Sequence, residues 1–466
     1  MVTASDRWPS GPRPATSATP TGRHRRRRLA AMAPSAPLPL VDPAAPTVGG
    51  PLPWVRGGLG LLSDPTAFFA RQRRRHGDTF VVEAFGHHLF CVFSPEGVRS
   101  LYAQPEDQAS FGIATYQLIK AKVPVELLLG RRNHPKTLFG SQRVEDYLDH
   151  LQRAVDLELA RLGPTGTFEV FAEMRRLGHR LGLASWAGSE AASDPYVERL
   201  IPLFDRLDSS ESFVRPGQAA LTWATRKRRE WAAMAGIERI FAEIIGARAG
   251  GPPVDDFLTQ ILESYGDLPE DERAVAAARD VIVIHMGSQS NLYAALAWTL
   301  VNLVQRPELM EQVRGGDDGL LDRCANESIR MAQRSITLRQ VLTPIDVDTG
   351  SGTYRLGPGV LLCTMLSSHN TSAAPGLDRF DPDHYEGRRL SSEVPLPTKE
   401  LVSTFGHGVH SCPAARFSIS AIRATIRGLL DRYELTPRFT DAVPRRRQIG
   451  GVARSARPCR IHYRLR

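Results

Sequence analysis

The sequence predicts a mainly α protein of the α+β class, one large helical domain carrying small, segregated β-sheets. Three observations lead there. Helical patterning dominates residues 94–340, strand-like segments cluster at 79–93 and 341–366, and neither an internal repeat nor a long linker follows residue 50. The chain has 466 residues, 42% hydrophobic and 23% charged, a globular composition with ample length for a sizeable core.

Residues 1–50 are rich in Ala, Pro, Ser, Thr and Arg and show no apolar period, so they read as a disordered basic extension ahead of a domain at 51–466. Seven Arg and one Asp in residues 1–40 supply +6 of the net +9. The folded body is therefore nearly neutral, which argues against nucleic-acid binding by it. The apolar run Leu29–Ala33 after Arg25–Arg28 is too short for an export signal, and Pro34, Pro37 and Pro39 follow it.

Thr79-Phe80-Val81-Val82 and Leu89-Phe90-Cys91-Val92-Phe93 predict a β-hairpin. Val281–Val304 is apolar enough to suggest a membrane span, but His285-Met286-Gly287-Ser288-Gln289-Ser290-Asn291 interrupts it. A long buried helix with a polar midpoint fits better, and such a patch calls for a ligand or water to satisfy it. Thr343–Asp348, Tyr354–Leu356 and Val360–Leu362 return to strand, around a Gly/Ser turn. After Cys412, the residues Ile419, Ile422, Ile426, Leu429, Leu430 and Tyr433 share one helix face.

The five cysteines (91, 324, 363, 412, 459) are odd in number, scattered and without a CxxC pair, so a reducing, cytoplasmic setting is expected. The densest chemistry is Phe405-Gly406-His407-Gly408-Val409-His410-Ser411-Cys412-Pro413-Ala414. Its glycines allow an unusual backbone path and close approach to a flat ligand. Cys412 then precedes a helix start, with Pro413 suited to the first helical position. Free N–H groups there favour a thiolate, as an axial ligand of haem iron requires. A zinc site using His407, His410 and Cys412, a cysteine nucleophile served by His369 or His410, and a cysteine of no function at a helix cap are the alternatives.

This loop resembles the haem-binding signature of the cytochrome P450 family, Phe-x-x-Gly-x-His/Arg-x-Cys-x-Gly, through Phe405, Gly408, His410 and Cys412; Ala414 replaces the final glycine. Two further motifs of that family follow its order. Glu327-Ser328-Ile329-Arg330 is its Glu-x-x-Arg, and Pro382-Asp383-His384-Tyr385 stands where it has Pro-Glu-Arg-Phe, with His384 for the usual Arg. The resemblance implies that Glu327, Arg330 and His384 lock the core beneath the haem, and that Arg339 and His410 meet the propionates. Gly57–Gly60 and His76–Phe80 also match, so the resemblance spans roughly residues 50–460.

The helix over the haem in that family usually carries an acid–alcohol pair, which is missing here. Ser288, Gln289, Ser290 and Asn291, with Ala294, Ala295 and Trp298, are similar instead to the branch of sterol 7α-hydroxylases and prostacyclin synthase. Asn291 is expected at the usual threonine position, with Ser290 as the one-residue alternative. The resemblance implies haem b (iron protoporphyrin IX), dioxygen, a hydrophobic small-molecule substrate and electrons from a ferredoxin and ferredoxin reductase. A bacterial enzyme of specialised metabolism is expected. Rearrangement of a peroxide without electrons is the alternative activity, and a non-catalytic haem sensor a third.

Overall fold

The computed structural model describes residues 40–52, 54–120, 122–127, 141–208, 222, 224–387, 390, 394–408 and 411–466. His410 and residues 1–39 lie outside them. Residues 40–50, read from composition as extension, are instead built into sheets. Strand β1 (Val41–Asp42) pairs with Arg355 and Leu356, and β2 (Thr47–Val48) runs parallel to Val81 and Val82. Strands of two residues carry no period that a sequence could display.

The predicted hairpin forms as β3 (Thr79–Ala84) and β4 (His87–Val92), antiparallel. Helix α1 (Pro95–Ala103) follows, its first turn capped by the Ser94 hydroxyl, which accepts from the Gly97 N–H. β5 (Ala109–Ser110) and β6 (Thr165–Glu169) precede helices α2 (Val170–Trp186) and α3 (Asp194–Leu207). Beyond two further helices, Arg228–Arg248 and Phe257–Ser264, comes α4 (Glu270–Val304), the long helix expected around Val281–Val304. It is 35 residues long, about 50 Å at 1.5 Å per residue. Three acids in its first turn favour the positive end of the helix dipole. Its central and C-terminal turns pack against α2, α5 (Asp318–Ala332) and α7 (Ala415–Arg432), with the short α6 (Leu366–Asn370) between. No described helix is long and apolar enough to cross a membrane.

The remaining strands are β7 (Ile336–Val341), β8 (Ile345–Asp348), β9 (Thr353–Leu356), β10 (Leu361–Met365), β11 (Tyr433–Pro437) and β12 (Arg460–Leu465). The described strands form three sheets, ordered β1-β9-β8, β2-β3-β4-β10-β7-β5 and β11-β12-β6. β7 is a correction, because residues up to 340 were read chiefly as helix. It lies between β10 and β5, and pairing on both edges decides its state. The α+β architecture is otherwise as predicted.

Candidate active site

The cysteine loop owes its path to two residues with left-handed backbone, Gly406 (φ 80°) and Gly408 (φ 61°), where a side chain would be strained. The Cys412 N–H donates to the Phe405 carbonyl at 2.6 Å and closes the loop. Helix α7 begins at Ala415, so Pro413 precedes the helix rather than opening it. The Ala414 N–H instead faces the Cys412 sulfur and stabilises its charge, although desolvation pushes the thiol up overall. A cation at the sulfur would reverse that penalty. Cys412 is exposed, whereas Cys91, Cys324, Cys363 and Cys459 are buried.

Trp186 of α2 ties this loop's helix to α4. Its indole N–H donates to His285 Nδ1 at 3.2 Å, and its ring lies 5.7 Å from that of Phe417 in α7. One turn beyond His285, α4 opens. Gly287 and Asn291 are exposed and Val283, Ile284 and Ser288 half-buried, along one strip between the buried Ile282 and Leu292. A Cβ at Gly287 would meet nothing within 4 Å, which places open space against the middle of this helix.

The four polar residues expected here divide. Asn291 lies on the open strip with Gly287. The Ser288 hydroxyl is engaged within the helix, donating to the carbonyls of Ile284 (2.9 Å) and His285 (3.2 Å). Ser290 is half-buried, and Gln289 is buried on the His285 side, its Oε1 without a partner among the described residues. His285 itself was read only as part of the polar patch. Its Nε2 meets His179 Nδ1 at 2.8 Å, and His179 Nε2 meets Asp205 at 3.1 Å. The chain of donors running from Trp186 to Asp205 satisfies that buried pair.

Glu327 and Arg330 form the core network that the motif implied. Both are fully buried, and Arg330 clasps the carboxylate through Nε (2.7 Å) and Nη2 (2.5 Å). Arg330 also donates to the carbonyls of Asn370 and Leu377, and His384 Nδ1 reaches Glu327 Oε1 at 3.1 Å. Sequence reasoning missed the continuation. Asn370 Nδ2 donates to the carbonyls of Arg330 (3.1 Å) and Ser403 (2.9 Å), its Oδ1 accepts from the Ser403 N–H, and the Ser403 hydroxyl accepts from the Gly406 N–H at 2.8 Å. The pair is thus wired to the cysteine loop. A lone Asn and Ser carry no local signal of that link.

Arg339 is buried in β7, its Nη1 donating to the carbonyls of Gln104 (2.7 Å) and Ala109 (2.9 Å) and its Nη2 held only weakly, at 3.5 Å from the Tyr102 carbonyl. His407 Nε2 meets the Val402 carbonyl at 3.0 Å, which engages it away from any metal set with Cys412. His369, once a candidate base, meets Thr364 at 3.2 Å and packs on Phe93. Burial, with Arg73 adding to it, pushes its pKa down to about 3. The folded protein therefore holds it neutral while the unfolded chain takes up a proton below about pH 6.5. Its contribution is complete above that pH and is lost as pH falls toward 3, at up to about 1.4 kcal/mol per pH unit. Urea midpoints should fall between pH 7 and 5, and less steeply for His369→Gln; an unchanged slope in that variant would contradict the assignment.

An exposed cysteine closing a loop of left-handed glycines fits a sulfur ligand for a flat iron macrocycle, as the resemblance to haem-thiolate enzymes implies. No protein-family model matches the chain. It is similar to 24-hydroxycholesterol 7-alpha-hydroxylase of Homo sapiens, 20% identical over 455 residues that cover 90% of this chain and 94% of that one. It is similar to abscisic acid 8'-hydroxylase 3 of Oryza sativa subsp. indica, at 25% identity over 82% and 79% of the two chains. It is also similar to a Mycobacterium tuberculosis protein named cytochrome P450 135B1, at 24% identity over 82% and 83%. These relatives support the resemblance to the cytochrome P450 family carried by the cysteine loop and its companion motifs, and with it an oxidoreductase.

Proposed function

We propose that this protein is a P450 monooxygenase that oxidises a hydrophobic small molecule with dioxygen and two electrons from a ferredoxin and ferredoxin reductase. The observation that carries the reading is the exposed Cys412 in its loop of left-handed glycines, and the strip of α4 left open at Gly287 supports it. Haem b held by Cys412 would supply the oxidising chemistry, the thiolate pushing electron density toward O–O cleavage. The chain's residues do the rest. Gly406 and Gly408 would let the backbone approach the macrocycle, and Phe405 packs against the main core. Arg339, braced by carbonyls on Nη1, and His410 by resemblance are assigned to the propionates. Asn291 supplies the polar group of the substrate cavity. The names of two relatives specify a hydroxylated cholesterol and abscisic acid, which supports a hydrophobic substrate here.

A redox partner is expected on the Cys412 side, but its cations differ from a simple count. Arg423 is paired with Asp322, Nε to Oδ1 at 3.1 Å, whereas Arg416 is exposed. The absence of an acid–alcohol pair in α4 favours one second reading, an isomerase or dehydratase of a peroxide, because an amide does not readily exchange a proton at neutral pH. Turnover of a panel of sterols, terpenoids and fatty acids, with and without NAD(P)H, reductase and ferredoxin, separates the two. Products are expected only with the electron donors. Conversion of hydroperoxides in donor-free buffer, with none from the parent compounds, would replace the first reading by the second.

A further inference from the structure

Resting on the reading of Asn291 as the polar group of the haem cavity, we propose that the Gly451–Val452 turn is a positioning element. It locks the Asn291 amide so that the NH2, not the carbonyl, is presented to a ligand in the cavity. The turn lies 161 residues from Asn291 in the chain, and the Val452 N–H donates to Asn291 Oδ1 at 2.9 Å. With its oxygen engaged by the turn, the NH2 is the unengaged end of the amide, since among the described residues Nδ2 donates to none.

The lock is built rather than incidental. Gly451 has φ 62°, a conformation that favours glycine, and a Cβ there would stand 2.3 Å from Asn291 Oδ1. The close approach of backbone to amide therefore requires glycine twice over, for space and for φ. Its neighbours fix the turn on the far side. The Gly451 N–H donates to the Ser335 hydroxyl at 2.9 Å, the Arg334 N–H to the Gly451 carbonyl at 2.8 Å, and the Gly450 N–H to the Arg334 carbonyl at 2.9 Å. The Gln448 amide donates to the carbonyls of Gly450 and Val452. Downstream, the Trp298 indole N–H donates to the Ala453 carbonyl at 2.5 Å, clamping the segment to α4 two turns beyond Asn291.

The consequence is chemical. An amide left free to flip could accept from a hydroxyl on a substrate or donate to a ligand oxygen. Held this way, its oxygen is turned to Val452 and its NH2 is the end left to meet a ligand. The cavity thus favours ligands that bring an oxygen acceptor to Asn291. Gly451 and Val452 are positioning residues, because they act through Asn291.

The test reads the hydrogen bond directly, through the C–O stretching frequency of carbon monoxide bound to the reduced holoprotein. A donor near the carbon monoxide oxygen lowers that frequency. Asn291→Asp keeps the shape and an acceptor for the Val452 N–H but replaces the NH2 by an oxygen, so the stretch should rise. Gly451→Ala should also raise it by displacing the amide, and should add nothing in an Asn291→Ala background, as coupling through one residue requires. Should Gly451→Ala not fold, Val452→Pro, which removes the N–H that holds Oδ1, takes its place, with the same expected rise and the same dependence on Asn291. A wild-type frequency in Asn291→Asp, or an equal shift by Gly451→Ala with and without Asn291, would overturn the proposal. The thiolate position of the Soret band, recorded in the same samples, shows separately whether the Cys412 reading stands.

Discussion

Cys412→Ala should abolish the carbon-monoxide difference spectrum typical of thiolate-ligated haem, while Ala at each of the other four cysteines should leave it intact. The structure separates these residues sharply. Cys412 is exposed at the end of the glycine loop. Cys91 and Cys363 face one another across β4 and β10, with sulfurs 3.4 Å apart and no exposure. Cys324 is pushed up to about 12 by burial, and Cys459, buried just before β12, is hydrogen-bonded to Ser455. A thiol so raised and so enclosed cannot serve as a thiolate ligand for a macrocycle. Replacing any of the four by Ala removes a small buried group, which costs about 1 kcal/mol. A normal thiolate spectrum from Cys412→Ala would refute the site and with it the proposed chemistry.

Glu327→Ala or Arg330→Ala should yield little soluble haem protein. Each leaves a buried, unpaired charge, a loss of about 3–5 kcal/mol against a total stability of about 5–15 kcal/mol. The loss falls on several partners at once. Without Arg330, the Asn370 and Leu377 carbonyls lose their donors; without Glu327, the Asp381 N–H loses its acceptor, 3.0 Å away. Asn370→Ala is the milder probe. It keeps the ion pair but leaves the Ser403 N–H and carbonyl unmatched, a loss of about 1–3 kcal/mol. Urea unfolding combined with the haem-to-protein ratio measures both. All three variants should lower the ratio, because the network ends at the Gly406 N–H. A Glu327→Ala protein as stable and as haem-loaded as wild type would reduce the pair to an isolated bridge.

Much of the site was legible because its signals are local. The Phe405–Ala414 loop needs its glycines and cysteine within ten residues, and Glu327 and Arg330 share a helix face by spacing alone. The polar break at Gly287–Asn291 in an apolar run likewise marked α4 as cavity-lining rather than membrane-spanning. The same local reasoning placed Pro413 two residues too far into the helix, since it could not see that the Cys412 N–H turns back to Phe405 and the helix begins at Ala415.

By itself, then, the sequence determined the helical class, the hairpin at 79–92 and the Glu327–Arg330 pair, and singled out Cys412 as the candidate ligand, because composition, period and short spacing act within a few turns of chain. Only the tertiary structure decided that residues 41–42, 47–48 and 336–341 are strands, that Gln289 turns from the open strip while Asn291 faces it, that Asn370 joins the ion pair to the cysteine loop, and that Gly451 bears on the Asn291 amide. Each of those depends on a partner far away in the chain. A two-residue strand or a lone amide has no state of its own until another segment supplies its hydrogen bonds.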